Sequence, residues 1–152
     1  MSRQNDSGLR VLSTAFSHDG QIPSKYTCEG ENINPPLEVS GYPPNTKSLA
    51  MIVEDPDAPR GVYDHWVVWN IPPGQAIAQD SRPGVAGRNS FGNTDYGGPC
   101  PPSGSHRYFF KVYALDSQLN IEPGSDKKAL QNAMKEHVLA SGELMAHYQK
   151  RK

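Results

Sequence analysis

The stretch His65-Trp66-Val67-Val68-Trp69-Asn70-Ile71, closed by Pro72-Pro73-Gly74, decides how this 152-residue chain folds. Aromatic and β-branched side chains dominate it and a proline–glycine turn ends it, so it reads as a strongly specified β-strand. Just upstream, Ser48–Glu54 is an apolar run of strand length, rich enough to be covered on both faces. It delivers the chain to the turn Asp55-Pro56-Asp57-Ala58-Pro59. Downstream, Arg107–Leu115 alternates: Tyr108, Phe110, Val112 and Ala114 share one face, and Arg107, Phe109, Lys111, Tyr113 and Leu115 the other.

Shorter candidate strands flank these. Leu9–Ser13 is one; Leu37–Ser40, ended by Gly41-Tyr42-Pro43-Pro44, is another. Between them, Gln21–Pro36 is loop-like. Gln75–Gly104 is a long loop poor in apolar residues, a length that in a compact domain goes with function or disorder. Ser125 or Asp126 can cap a helix running to about Val138, with Leu130, Met134 and Val138 on one stripe. From Ala140 to Gln149 the period drops to two and Gly142 disfavours a helix, so the tail reads as a strand.

Fourteen glycines and fourteen prolines exceed the combined average usage of roughly 12%, which favours a turn-rich, mainly β protein. The expected organisation is a single domain over residues 9–149, a flexible N-terminus at 1–8 and a basic tail at 150–152. Fifteen basic residues nearly cancel sixteen acidic ones. With no basic stripe, nucleic acid is not an expected partner. No apolar run is long enough for a membrane helix, and Met1–Gly8 lacks the apolar core of a signal peptide, so the expected location is cytoplasmic. Cys28 and Cys100 are expected as buried thiols; a bridge forms only if their two turns meet, and it would be uncommon in a reducing compartment.

Two proline-stiffened turns carry the chemistry. The first supplies Asp55 and Asp57, with His65 at the mouth of the following strand. The second, Gly98-Pro99-Cys100-Pro101-Pro102, leads to His106, Arg107 and Tyr108. In an extended segment Asp55 and Asp57 would share one face, where like charges resist joint ionisation. The prolines make a cis peptide an expectation at Ala58-Pro59. Gly97-Gly98 lets backbone N–H groups converge on an anion, and imidazolium rings beside carboxylates are anion donors. Histidines and amides hold a phosphate while Asp55 or Asp57 holds an ammonium, so a phosphate monoester or a phosphoethanolamine-like group fits. Metal ligation matches no compact zinc signature. Nucleophilic catalysis lacks a G-x-S-x-G turn, and Ser105 adjoins His106, where strand side chains point apart.

The chain resembles the phosphatidylethanolamine-binding protein family, also called Raf-kinase-inhibitor-like, in its bacterial and archaeal branch. The resemblance rests on Asp55–Pro59, His65–Asn70, Tyr96–Gly104 and His106-Arg107-Tyr108. Cys28–Asn32, Pro35-Pro36-Leu37 and Tyr113–Asp116 support it. It implies a large central antiparallel sheet packed on a smaller sheet, with few helices and an anion pocket at one end. It implies Asp55, Asp57, His65, His106 and Tyr108 as pocket residues, with Gly98 and the segment holding Pro101 and Pro102 as wall and source of backbone contacts. The chain stops at Lys152 without the C-terminal helical segment of eukaryotic members, which implies a more open site. The functional expectation is non-enzymatic binding of phosphate-bearing head groups or phosphorylated ligands, without a cofactor or metal. The alternatives are a protein-interaction module inhibiting a serine protease or kinase, and an uncharacterised hydrolase. A homodimer is in keeping with this branch.

Overall fold

A computed structural model describes residues 8–151. The expected flexible N-terminus therefore lies, except for Gly8, outside the described residues, as does Lys152 of the basic tail.

Among the described residues, seven strands and one α-helix follow in the order β1 (Arg10–Leu12), β2 (Glu38–Ser40), β3 (Ser48–Asp55), β4 (Tyr63–Ile71), β5 (Val85–Ala86), β6 (His106–Leu115), α1 (Lys127–Met134) and β7 (Val138–Tyr148), with a single 3-10 turn at Ser24–Tyr26. Five form an antiparallel sheet in the order β5-β4-β3-β6-β7, and β1 pairs with β2 as a second small sheet. The fold is mainly β, as the alternation and the excess of turn formers require.

The large sheet is covered on both faces, which explains why β3, at its centre, is buried at every position. One face carries Met51, Val53, Trp66, Val68, Phe110, Val112 and Leu144 against Leu9, Val11 and Leu37 from the small sheet and its flanks. The opposite face carries Ala50, Ile52, Val67 and Trp69 against Leu130 and Met134 of α1, with Leu119 from the preceding loop. The predicted alternation of β6 holds: Tyr108, Phe110, Val112 and Ala114 are buried, while Arg107 is exposed and Phe109, Lys111 and Tyr113 are half-buried. Leu115 departs from it and is fully buried, where β6 meets the bulge in the β6–β7 pairing.

Asp126 caps α1 by accepting from Ala129 N at 3.0 Å. The helix ends at Met134, four residues before the expected boundary. Val138 is 44% exposed and is the first residue of β7, paired with Leu115. The strand ladder satisfies its backbone better than another helical turn would, because β-branched valine loses rotamer freedom in a helix. Gly142 sits where the Leu9 backbone crosses β7, and a Cβ there would come within 2.5 Å of the Leu9 carbonyl oxygen. Asn70 takes a left-handed conformation (φ 56°) inside β4, and its side chain exchanges two hydrogen bonds with the backbone of Leu119.

Beside the site, Lys127 at the start of α1 reaches Asp64 at 2.8 Å and Glu54 at 3.3 Å, while Lys111 binds Glu54 at 2.8 Å. Burial works against the Glu54 charge, but the hydrogen bonds and charges of Lys111 and Lys127 hold its carboxyl below the usual range. This network fixes the helix to the ends of β3 and β4 that carry Asp55 and His65.

Candidate functional site

The sheet order β4-β3-β6 brings the ends of three neighbouring strands together, and with them His65, Asp55, and His106 with Tyr108. All four are buried, at 4%, 2%, 8% and 1% exposure respectively. They share a cavity of about 180 Å³. Ala58, Pro59 and Tyr63 from the β3–β4 turn, Phe91 from the long loop, and Cys100, Pro101 and Pro102 complete its walls.

Each polar group is held in a defined state. Asp55 accepts at one oxygen from His106 Nδ1 (2.7 Å) and at the other from the backbone N–H of Asp57 (2.7 Å). His65 Nδ1 lies 2.7 Å from the Gly97 carbonyl oxygen, which can only accept, so that nitrogen carries the proton. Among the described residues, Nε2 is then the ring atom without a protein partner on both histidines. Burial pushes the His65 imidazole below its ordinary pKa, against the raising effects of Gly97 and then Asp55. The Tyr108 hydroxyl is buried beside the Asp55 carboxylate and the Cys100 amide, yet makes no well-formed hydrogen bond among the described residues. Burial, and after it the charge of Asp55, pushes this phenol far up. The Tyr108 ring lies between the histidines, 5.3 Å from His65 edge-on and 6.4 Å from His106 in a stacked arrangement.

Several sequence expectations need correction. Asp55 and Asp57 do not share a face: the peptide turns back after Asp55, and the Asp57 carboxylate points to Arg107. That pair is a fork, with Asp57 accepting from Arg107 N and Nε at 2.9 Å and from Nη2 at 2.8 Å. Hydrogen bonds from Arg107 hold the Asp57 carboxyl down at about 2. Asp57 does not line the cavity, and Arg107, tied up by it, supplies no charge there.

Gly98 also stands behind the wall, its N–H spent on Asn32 Oδ1 at 2.8 Å. The Gly97 N–H is spent on the His65 carbonyl oxygen, so neither amide is free for an anion. Ala58-Pro59 is trans, like every peptide bond among the described residues, so the turn takes its shape without a cis proline. Cys28 and Cys100 are not buried thiols. The two turns do meet, and the cysteines form a disulfide with both residues exposed.

Tyr63 and Phe91 were not anticipated. Tyr63 lies two positions before His65, the same-face spacing of a strand, so the signal was present. Phe91 gave none: it reaches the site because Ser90 and Asp64 pair across the loop, seating its ring 5.0 Å from Tyr63 and 5.3 Å from His65. A larger cavity of about 560 Å³ lies along β4 and the loops near Asn32 and Arg82. Polar side chains in it are already partnered: Arg82 pairs with Asp95, and Asn34 donates to the Ala78 carbonyl and accepts from the Ser81 amide.

The fold is a five-stranded antiparallel sheet packed on a two-stranded one, with a buried polar cavity at the ends of its central strands. Residues 12–149 match the family model described as phosphatidylethanolamine-binding protein, and the chain belongs to that family. It is 49% identical over 150 residues to a UPF0098 protein of Methanothermobacter thermautotrophicus, covering 93% of this chain and 99% of that one. The solved phosphatidylethanolamine-binding protein homologue CT736 of Chlamydia trachomatis is 42% identical with a TM-score of 0.91, covering 95% of this chain and 99% of that one. The E. coli protein YbcL, described as a member of the mammalian family, is 32% identical with a TM-score of 0.86 and the same coverage. Membership supports a function of the binding type. Among the described residues, no helix is long and apolar enough to cross a membrane, and no cluster of three or more metal-ligating side chains occurs.

Proposed function

We propose that the chain binds the phosphate group of a small phosphorylated ligand or head group in the cavity between His65 and His106, without catalysing its conversion. The observation that carries this reading is the Tyr108 hydroxyl, buried without a well-formed hydrogen bond beside two histidines whose Nε2 atoms have no partner among the described residues. A buried unsatisfied hydroxyl costs about 1–3 kcal/mol, a cost that a phosphate oxygen accepting its proton would remove. No permanent cation lines the cavity, so protonated histidine would balance the anion. Asp55 keeps lone pairs for an ammonium group, which suits a phosphoethanolamine-like ligand.

The Asp55–His106 pair resembles the base and orienting carboxylate of a hydrolytic triad. Among the residues lining the cavity there is no serine, and the cysteine there, Cys100, is in a disulfide. Binding without turnover is therefore the better reading.

The test is a titration with inorganic phosphate and with phosphoethanolamine, following the His65 and His106 ring signals by NMR. Saturable shifts in the wild type, weakened in Tyr108→Phe, support the proposal. Ring signals that stay in place up to high millimolar ligand would overturn it.

A further inference from the structure

The outer wall of the cavity is held very differently from its floor. Asp55, His65 and His106 are anchored by strands and by the hydrogen bonds described above. The wall segment is anchored well only as far as Pro99, through the N–H groups of Gly97 and Gly98 and the Pro99 carbonyl. From Pro101 to Ser105, among the described residues, no backbone group makes a backbone–backbone turn or loop hydrogen bond, and the Cys100 amide faces only the Tyr108 hydroxyl. Pro101 and Pro102 have no N–H to offer. The strong tie on this stretch is the disulfide to Cys28, 72 positions away, with Cα atoms 5.5 Å apart.

Cys28 itself sits on a fixed base. Its N–H donates to the Pro99 carbonyl, Thr27 N bonds the Ser24 carbonyl, and neighbouring Glu29 accepts from the Tyr148 hydroxyl at the end of β7. One sulfur is thus mounted on the body of the protein and the other on a strap over the cavity. Both cysteines are exposed, and Cys100 also lines the cavity. An exposed disulfide is open to an attacking thiolate, whereas one that only staples a core is shielded.

We propose that Cys28–Cys100 is a thiol–disulfide exchange site for a dithiol reductant, and that its state decides whether the Cys100–Ser105 strap closes the cavity; this rests on the phosphate-binding reading of that cavity. One thiolate of the reductant attacks a sulfur of the pair, the S–S bond breaks, and the other cysteine leaves as a thiolate that takes a proton. The reductant's second thiolate then attacks the mixed disulfide and releases the second cysteine, which is also protonated. Two electrons pass to the protein and the reductant departs as a disulfide. The strap then keeps only its two ends, and Pro101 and Pro102 cease to be a pre-shaped wall. The floor stays intact, because none of its hydrogen bonds involves the cysteines.

The experiment follows native protein through a dithiothreitol series with alkylation and mass measurement, alongside the Cys28→Ser/Cys100→Ser double variant. Backbone order parameters of Ser103, Gly104 and Ser105 and the phosphate titration of the histidine rings are recorded for each form. Reduction is expected while the dispersed strand signals persist, with strap order parameters falling from about 0.85 to below about 0.6. Phosphate affinity is expected to drop about tenfold with the loss of pre-organisation and to return on reoxidation in the wild type. Reduced wild-type protein carries the comparison if the double variant misfolds. A bond that resists dithiothreitol until the fold melts, a strap that stays ordered after reduction, or equal phosphate affinity in both forms would each overturn the proposal. If phosphate moves no ring signal in either form while the strap still loosens, the binding reading falls and the exchange site with its control of the strap stands.

Discussion

Asp55 and His106 meet at 2.7 Å across neighbouring strands with both side chains almost wholly buried, and this pair is the floor of the site. Removing one partner leaves the other buried without compensation, at a cost of about 3 kcal/mol or more. Asp55→Ala is therefore expected to lower the denaturation free energy by that amount. A loss below about 0.5 kcal/mol, the usual range of surface substitutions, would mean that the pair contributes little to the fold.

Tyr108→Phe separates function from stability. The hydroxyl it deletes makes no well-formed hydrogen bond among the described residues, so the free protein should hold its stability or gain about 1 kcal/mol. Phosphate affinity should fall about tenfold, the worth of one hydrogen bond to a charged group. Thermal melting and the NMR titration read the two effects apart. A marked loss of stability would show that the hydroxyl is satisfied in the free protein.

His65 should titrate below its ordinary value of 6.5, because burial disfavours its charged form. The folded state then binds fewer protons than the unfolded state. Its contribution to stability is fully present above 6.5 and is lost as pH falls through the lower folded value. Bound phosphate works in the opposite direction, favouring the imidazolium. The His65 ring titration should therefore move to higher pH when phosphate is added, and an unchanged titration at saturation would argue against direct contact.

Asp57 and Arg107 test the corrected geometry. With the Asp57 carboxyl held at about 2 instead of 3.8, the pair's contribution is present above 3.8 and disappears as pH falls through 2. Asp57→Asn should flatten that part of the acid-unfolding profile. Because Asp57 lies off the cavity, phosphate affinity should change less than about twofold, well within a single weak contact. A large loss of affinity would return Asp57 to the site.

Gly98→Ala is expected to destabilise by about 3 kcal/mol, the scale of overpacking in a tight interior. A Cβ at this position collides with the Tyr26 carbonyl oxygen and with Asn32 Oδ1. The collision would push the wall away from the Cys28 turn, and urea denaturation measures the cost. Wild-type stability in the variant would mean that the two loops are not packed as described.

Much of this was readable along the chain. Alternation in Arg107–Leu115 separates its two faces because a strand has a side-chain period of two. The two-sided burial of β3 follows from its unbroken apolar run. The end of α1 was not readable, since Val138 suits the helical stripe and the strand equally and only its pairing with Leu115 decides between them. The opposed directions of Asp55 and Asp57 were also hidden. Spacing in an extended chain puts them on one face, but a hydrogen bond within the turn and the pull of Arg107 send them apart.

Local chemistry thus determined the strands, the helix cap, the two proline turns and the identity of four buried polar residues, because propensity, period and turn formation act over a few residues. Tertiary structure decided which of those groups face one cavity, which amides are already spent, and that Cys28 and Cys100 meet. Those outcomes depend on sheet order and on contacts between segments tens of residues apart, where no local period carries information.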